Sequence, residues 1–165
     1  MTKILFLDLD GTVRRTISGQ TFINDPNDQE LIPGVADTLN NYLSWVVAGV
    51  TNQAGVAVKK KTLESCIEEQ KITLLQVPQM HSISFCIDFE GNQAYRLYRD
   101  GTLKQLPYGR NYRKPAPGML SQFIEDFICP VMLDDLLMVG DRIEDKQCAI
   151  ASGIDFIWAE EWRNG

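Results

Sequence analysis

The segment that most constrains the fold is residues 3–9, KILFLDL, a short apolar run that breaks off into Asp10-Gly11-Thr12. An apolar run of this length without alternation is what a strand covered on both faces of a parallel sheet produces. Similar runs recur at residues 45–50, 83–89, 136–139 and 156–159. Helical spacing fills the intervals. Val35, Leu39, Tyr42 and Leu43 follow Pro33-Gly34, and residues 59–75 place Leu63, Cys66, Ile67 and Leu74 or Leu75 on one stripe. Further helices are expected from Gly118 to about Ile128 and over residues 143–151. Strands alternating with helices predict an α/β domain built on a mainly parallel sheet. Residues 94–99 and 102–106 flank Asp100-Gly101, a hairpin-turn signal, and residues 12–32 are polar and turn-rich, as a surface loop would be. No repeat or linker interrupts the 165 residues, so one domain over residues 1–165 is expected.

The longest apolar run, residues 45–50, falls far short of the roughly 20 residues a membrane helix needs. The first residues meet Asp8 after four apolar ones, so a secretory signal peptide is not expected. Cys66, Cys86, Cys129 and Cys148 are scattered without a CxxC pair and read as reduced, buried thiols. A cytoplasmic setting and no membrane partner are the expectations. His81, the only histidine, has no neighbour at ligand spacing and reads as structural or exposed.

Ligands of parallel sheets bind beyond the carboxyl ends of the strands. There the first run presents Asp8 and Asp10, two residues apart and so starting on one face. The second ends at Thr51-Asn52-Gln53, with Gly55 beyond. The fourth ends at Gly140-Asp141, with Asp145 one helical turn on, and Arg113-Lys114-Pro115 lies between. Four carboxylates gathered together repel one another unless a cation sits among them. All-oxygen ligands favour a hard ion, and few protein ligands with phosphate completing the shell favour Mg²⁺. Lysine and backbone N–H groups supply donors for phosphate oxygens. The set suits phosphoryl transfer to an aspartate and then to water.

The segments FLDLDGTV (6–13), TNQAG (51–55), YRKPAPGM (112–119) and VGDRIED (139–145) resemble the four ordered motifs of the haloacid dehalogenase (HAD) superfamily. TNQ-x-G and RKP-x-x-GM are similar to its subclass IIIA. That branch includes heptose bisphosphate and histidinol phosphate phosphatases and the 3'-phosphatase domains of polynucleotide kinases. The resemblance implies a Rossmann-like fold and gives Asp8 as nucleophile and Mg²⁺ ligand. It gives Asp10 as general acid and base, its backbone carbonyl also holding the ion, and Asp141 as a direct Mg²⁺ ligand. Thr51, Asn52 and Lys114 would hold phosphate. Asp145 would act through water or orient Lys114, and Arg113 would support the site. The spacing leaves no room for a separate cap domain: about 40 residues separate the first two motifs and about 60 the next two, these already holding a helix, a strand and the hairpin.

Two features depart from that pattern. The heptose and histidinol enzymes often carry a Cys/His zinc loop just before RKP, whereas this chain has Asn111-Tyr112 there, and structural zinc is not expected. In its place stands the hairpin insertion. Net charge is -6 overall, yet residues 94–114 carry +5 together with four of the five tyrosines. Basic residues interleaved with aromatics suit a single-stranded nucleic-acid path. They equally suit cross-strand packing within the hairpin. Arg14 and Arg15, just past the first motif, either reach substrate or serve the fold; Arg142 and Glu144 read as solvated helix residues. The expected activity is therefore Mg²⁺-dependent hydrolysis of a phosphorylated small molecule such as a sugar phosphate. The alternatives are a polynucleotide 3'-phosphatase and a non-catalytic phospho-receiver, the latter opposed by the presence of both Asp8 and Asp10.

Overall fold

The structure, a computed structural model, describes residues 2–127 and 131–165. Strand β1 (Thr2–Leu7) leads through a two-stranded ribbon, β2 (Arg14–Arg15) and β3 (Glu30–Leu31), into helix α1 (Val35–Leu39). Strand β4 (Val46–Asn52), helix α2 (Leu63–Gln76) and strand β5 (Met80–Cys86) follow. The hairpin β6 (Ala94–Tyr98) and β7 (Leu103–Gln105) comes next, then α3 (Gly118–Asp126) and β8 (Val131–Gly140). Helix α4 (Ile143–Ser152), strand β9 (Asp155–Trp158) and helix α5 (Ala159–Asn164) end the chain. One seven-stranded sheet runs β7-β6-β5-β4-β1-β8-β9. The five strands β5-β4-β1-β8-β9 are parallel, and the hairpin extends the β5 side antiparallel.

Side-chain alternation explains why β1 is apolar throughout. Leu5, Leu7 and Leu9 enter a core with Val35 and Leu39 of α1, Cys66 and Leu74 of α2, and Trp162 of α5. Ile4 and Phe6 enter the opposite core with Met119, Leu120 and Phe123 of α3 and Cys148 of α4. Every residue from Ile4 to Leu7 is fully buried, and each such side chain contributes about 1.5–3 kcal/mol by leaving water. The chain steps from β1 to β4 and β5 on one side, then to β8 and β9 on the other. The crevice beyond the carboxyl end of β1 lies at that switch point.

The mainly parallel sheet, flanking helices and hairpin expected from the sequence are present, with shifted boundaries. The third core strand, expected over 83–89, runs Met80–Cys86. It ends where Asp88 accepts the N–H groups of Asn92 and Gln93 and closes a turn. Helix α2, expected from Lys59, starts at Leu63 because the Thr62 hydroxyl caps it by accepting from Ser65 N–H. Helix α1 gives way to a 3₁₀ turn at Asn40–Tyr42, which leaves Leu43 exposed instead of on the inner stripe. Leu74 is the buried residue of the Leu74–Leu75 pair. The fourth strand is longer than expected, and the fifth ends at Trp158, where the unforeseen α5 begins. The 12–32 loop contains the β2–β3 ribbon. Cys66, Cys86 and Cys148 are buried free thiols, and burial pushes them up to about 11, about 12 and about 11. Cys129, and the helix end expected near Ile128, lie outside the described residues. His81 is exposed, its ring edge-on to Tyr98 and Phe123.

Candidate active site

The three strand ends converge as the crevice rule requires. Asp8 follows β1 directly, and its backbone N–H donates to Val139 of β8 at 3.0 Å. Its carboxylate is gripped on both oxygens: Oδ1 accepts from Lys114 Nζ at 2.7 Å and Oδ2 from the Thr12 hydroxyl at 3.0 Å. Lys114 Nζ also reaches Asp145 Oδ1 at 2.7 Å and the Val50 carbonyl at 3.1 Å, so all three of its protons are used. Asp145, at the start of α4, turns its other oxygen to the backbone N–H groups of Asp141 and Arg142 at 3.2 and 3.1 Å. One buried lysine thus ties the end of β1 to the end of β8.

Two glycines let the acids approach. Gly11 has φ +86°, and a Cβ there would collide with the Asp141 carboxylate. A Cβ on Gly140 would collide with Asp145. Asp8, Asp141 and Asp145 each present an oxygen within 4.8 Å of the others. Burial, with the Asp145 and Asp141 carboxylates adding to it, pushes the Asp8 carboxyl up to about 7 despite Lys114. For Lys114, burial works against the charge, but Asp8 and Asp145 outweigh it and hold the ammonium above its ordinary value.

Asp10 points elsewhere. Its oxygens accept from Arg14 Nε at 2.9 Å and Gln53 Nε2 at 3.2 Å. Burial alone would raise Asp10, but Arg14, Lys61 and Gln53 outweigh it and hold the carboxyl below the usual range. Thr51 is buried, its hydroxyl accepting from Gln53. Asn52 spends its side chain on Lys114: Nδ2 donates to the lysine carbonyl and Oδ1 accepts the lysine N–H, both at 3.0 Å. Arg113 lines the cleft with its guanidinium over the Phe89 ring.

A cleft of about 560 Å³ opens above these groups, walled also by Phe22, Val58, Lys60 and Arg142. Of the basic hairpin segment, only Arg113 and Lys114 line it. The other cations are engaged elsewhere. Arg96 is buried against Ser84 and Asp126, and Arg99 donates to the carbonyls of Leu74, Val77 and Met80. Lys104 reaches Asp126, and Arg110 reaches Gln122 and Glu125. Tyr95 stacks on Phe85 and the Tyr112 hydroxyl donates to the Pro107 carbonyl. These contacts follow the packing alternative for the hairpin. Arg14, left open between substrate and structure, is fully buried beside Asp10, whereas Arg15 is exposed and pairs with Glu30.

Residues not singled out from the sequence complete the site. Thr12 could have been found from its place next to Asp8 and Asp10. Glu69, Gln70 and Thr73, which hold Arg14, could not: they lie 55 to 59 residues away on a helix face that reads as ordinary polar surface.

A family model described as "Polynucleotide kinase 3 phosphatase" matches residues 3–162. A D-glycero-beta-D-manno-heptose-1,7-bisphosphate 7-phosphatase of Yersinia pestis is 30% identical over 152 residues, 91% of this chain and 76% of that one. The enzyme of that name from Escherichia coli K12 is 28% identical, over 91% of this chain and 74% of its own length. Among solved structures, D,D-heptose 1.7-bisphosphate phosphatase from B. bronchiseptica, complexed with magnesium and phosphate, superposes with a TM-score of 0.64 at 23% identity, over 94% and 79% of the two chains. A HAD-like phosphatase from Mesorhizobium loti gives 0.66 at 24% identity, over 93% and 69%. Fold and site together define a phosphatase of the haloacid dehalogenase superfamily. Within it, the chain belongs to the family that the polynucleotide kinase 3 phosphatase model describes.

Proposed function

We propose that this chain hydrolyses a phosphomonoester of the sugar-phosphate class through an aspartyl-phosphate on Asp8, with Mg²⁺ bound. The observation that carries this reading is the double hold on Asp8 by Lys114 and Thr12 at the floor of the cleft. That hold fixes a carboxylate where a phosphate can arrive, with a cation beside it. The donor set fits a hard divalent ion: three carboxylate oxygens lie within 4.8 Å of one another, with one lysine to offset them. Asp8, Asp141 and the Asp10 carbonyl would hold the ion, with Asp145 behind them. When bound, it supplies charge neutralisation for the phosphate oxygens.

In the first step the Asp8 carboxylate attacks phosphorus, the P–O bond to the alcohol breaks, and Asp10 gives its proton to the leaving alkoxide. In the second, Asp10 takes a proton from water, the hydroxide attacks phosphorus, and the bond to Asp8 breaks to release phosphate. Asp10 is held ionised by Arg14 in the free site. It therefore takes a proton from solvent as the phosphate dianion approaches and opposes that hold, and this is the proton it gives to the alkoxide. Lys114 pins the phosphate. Asn52 holds Lys114 in place through its backbone.

The sugar-phosphate class is supported by the relatives named as heptose bisphosphate phosphatases, one of them 30% identical. It is supported too by a hairpin whose arginines are engaged within the fold. A second reading, hydrolysis of a 3'-phosphate at a polynucleotide end through residues 94–114, is favoured by the family model that matches residues 3–162. One panel separates them: kcat/KM for sugar phosphates, nucleotides and 3'-phosphorylated oligonucleotides. The first reading requires sugar phosphates to lead by at least tenfold; oligonucleotides leading, with a steep salt dependence, would establish the second.

A further inference from the structure

Beneath the cleft lies a closed ring of charged and polar side chains. Arg14 donates Nε to Asp10 at 2.9 Å and an Nη2 proton to Glu69 at 2.6 Å. Glu69 accepts from Lys61 at 2.7 Å; Lys61 donates to Gln53 at 3.2 Å; Gln53 donates back to Asp10 at 3.2 Å. The remaining Arg14 protons go to Gln70 and Thr73 of α2 at 2.9 and 2.7 Å, and to Asp10 at 3.4 Å. Every N–H of the guanidinium is therefore matched. Arg14 and Glu69 have 0% and 2% of their side chains exposed, whereas Asp10 keeps 40% open to the cleft. Of the charged groups in the ring, the Asp10 carboxyl is the most open to the cleft.

A buried ion pair gains little over well-packed apolar side chains, so stability alone is a weak reason to bury two cations and a carboxylate here. Geometry supplies a stronger one. A carboxylate three residues beyond a strand end is free to rotate, and a rigid fork gripping it from below fixes its plane. The fork in turn is fixed by α2, an element that presents no residue of its own to the cleft. Gln29, at the far end of the ribbon loop, also bonds α2 through Glu69 O and the Thr73 hydroxyl. The loop and the acid are thereby referenced to the same helix.

We propose that Arg14, clamped by Glu69 of α2, is a positioning residue that orients Asp10 for proton transfer. The inference rests on the reading of Asp10 as general acid and base. Its signature is a leaving-group split. An alkyl phosphate needs a proton on its departing oxygen, whereas 4-nitrophenyl phosphate departs without one. A misaligned acid slows phosphorylation by the first and spares the second.

The test is rapid-mixing measurement of the phosphorylation step with a sugar phosphate and with 4-nitrophenyl phosphate, in Mg²⁺, for wild type, Arg14→Lys, Glu69→Gln and Asp10→Asn. The first substitution keeps the charge without the fork; the second keeps the shape of the clamp without its charge. Melting temperatures establish that each variant is folded, and Glu69→Gln carries the test if Arg14→Lys does not fold. The expected result is a 10- to 100-fold slower step for the sugar phosphate, part of the roughly 100- to 10,000-fold that acid–base catalysis supplies. The nitrophenyl ester should slow less than about threefold and KM should hold, since proton transfer to that leaving group is not needed. Equal slowing of both substrates, or a raised KM at unchanged kcat, would overturn the proposal. Asp10→Asn must show the same split, and more strongly. If it shows none, the reading of Asp10 itself fails, a result distinct from failure at Arg14 alone.

Discussion

Asn52 clasps Lys114 by both backbone groups, its carbonyl oxygen taking the lysine N–H and its amide nitrogen bonding the lysine carbonyl, each at 3.0 Å. The two residues are 62 apart in sequence, and this pair fixes the backbone from which the Lys114 ammonium reaches Asp8 and Asp145. Of the two consecutive strand-end residues, Thr51 is buried with its hydroxyl bonded to Gln53, and Asn52 spends its side chain on the Lys114 backbone.

Loss of that clasp should disturb catalysis more than folding. Asn52→Ala leaves the lysine backbone partly unpaired at a cost of about 1–3 kcal/mol. It also lets the ammonium drift, which should lower kcat on the order of 100-fold. Thermal melting and steady-state kinetics check the two parts. An unchanged kcat would remove the alignment role.

Gly11→Ala should be harmful in both respects. Its φ of +86° disfavours any side chain, and a Cβ would press on Asp141. The strained backbone alone costs about 1–3 kcal/mol. The Mg²⁺ concentration for half-maximal activity should rise as Asp141 is displaced; a metal titration of the variant measures this.

The basic hairpin should be dispensable for a small substrate. Lys104 and Arg110 pair with acids of α3 at the surface, where such bonds are weak. Lys104→Ala/Arg110→Ala should leave kcat/KM for sugar phosphates within about twofold and the melting temperature nearly unchanged. A large fall confined to 3'-phosphorylated oligonucleotides would instead mark the hairpin as a nucleic-acid path.

Chelation of divalent ions should abolish turnover, and added Mg²⁺ should restore it. Asp141→Asn should raise the Mg²⁺ requirement on the order of tenfold, through loss of one charged oxygen ligand. Full activity after exhaustive chelation would contradict the metal assignment.

The residues at the three strand ends were legible because the chemistry concentrates there. Asp8, Asp10, Asp141 and Asp145 sit in short segments just past apolar runs, which marks them from the sequence, although Asp145 also caps the start of α4. Their supports were not. Glu69 and Thr73 lie on α2 among other polar residues, and only the tertiary meeting with Arg14, Lys61 and Gln29 makes that face buried. Boundaries failed for local reasons. Ile87 and Phe89 continue the apolar run of β5, but the Asp88 side chain bonds the backbone ahead of it and turns the chain. Helix α5 has six residues, too few for a periodic signal, and owes its place to Trp162 in the core. The charge of residues 94–114 had two physical readings, and the partners Asp126, Gln122 and Glu125 that support the packing one lie on α3, too far along the chain to be read from the hairpin itself.

The central claim is that phosphate passes through Asp8. The most direct test is acid quench during turnover of a sugar phosphate, followed by mass spectrometry of the peptide that contains Asp8. Wild type should carry one phosphoryl group on Asp8, Asp10→Asn loaded with 4-nitrophenyl phosphate should accumulate it, and Asp8→Asn should carry none and be inactive. Turnover by Asp8→Asn at a rate near wild type, with no phosphorylated peptide in either protein, would contradict the account.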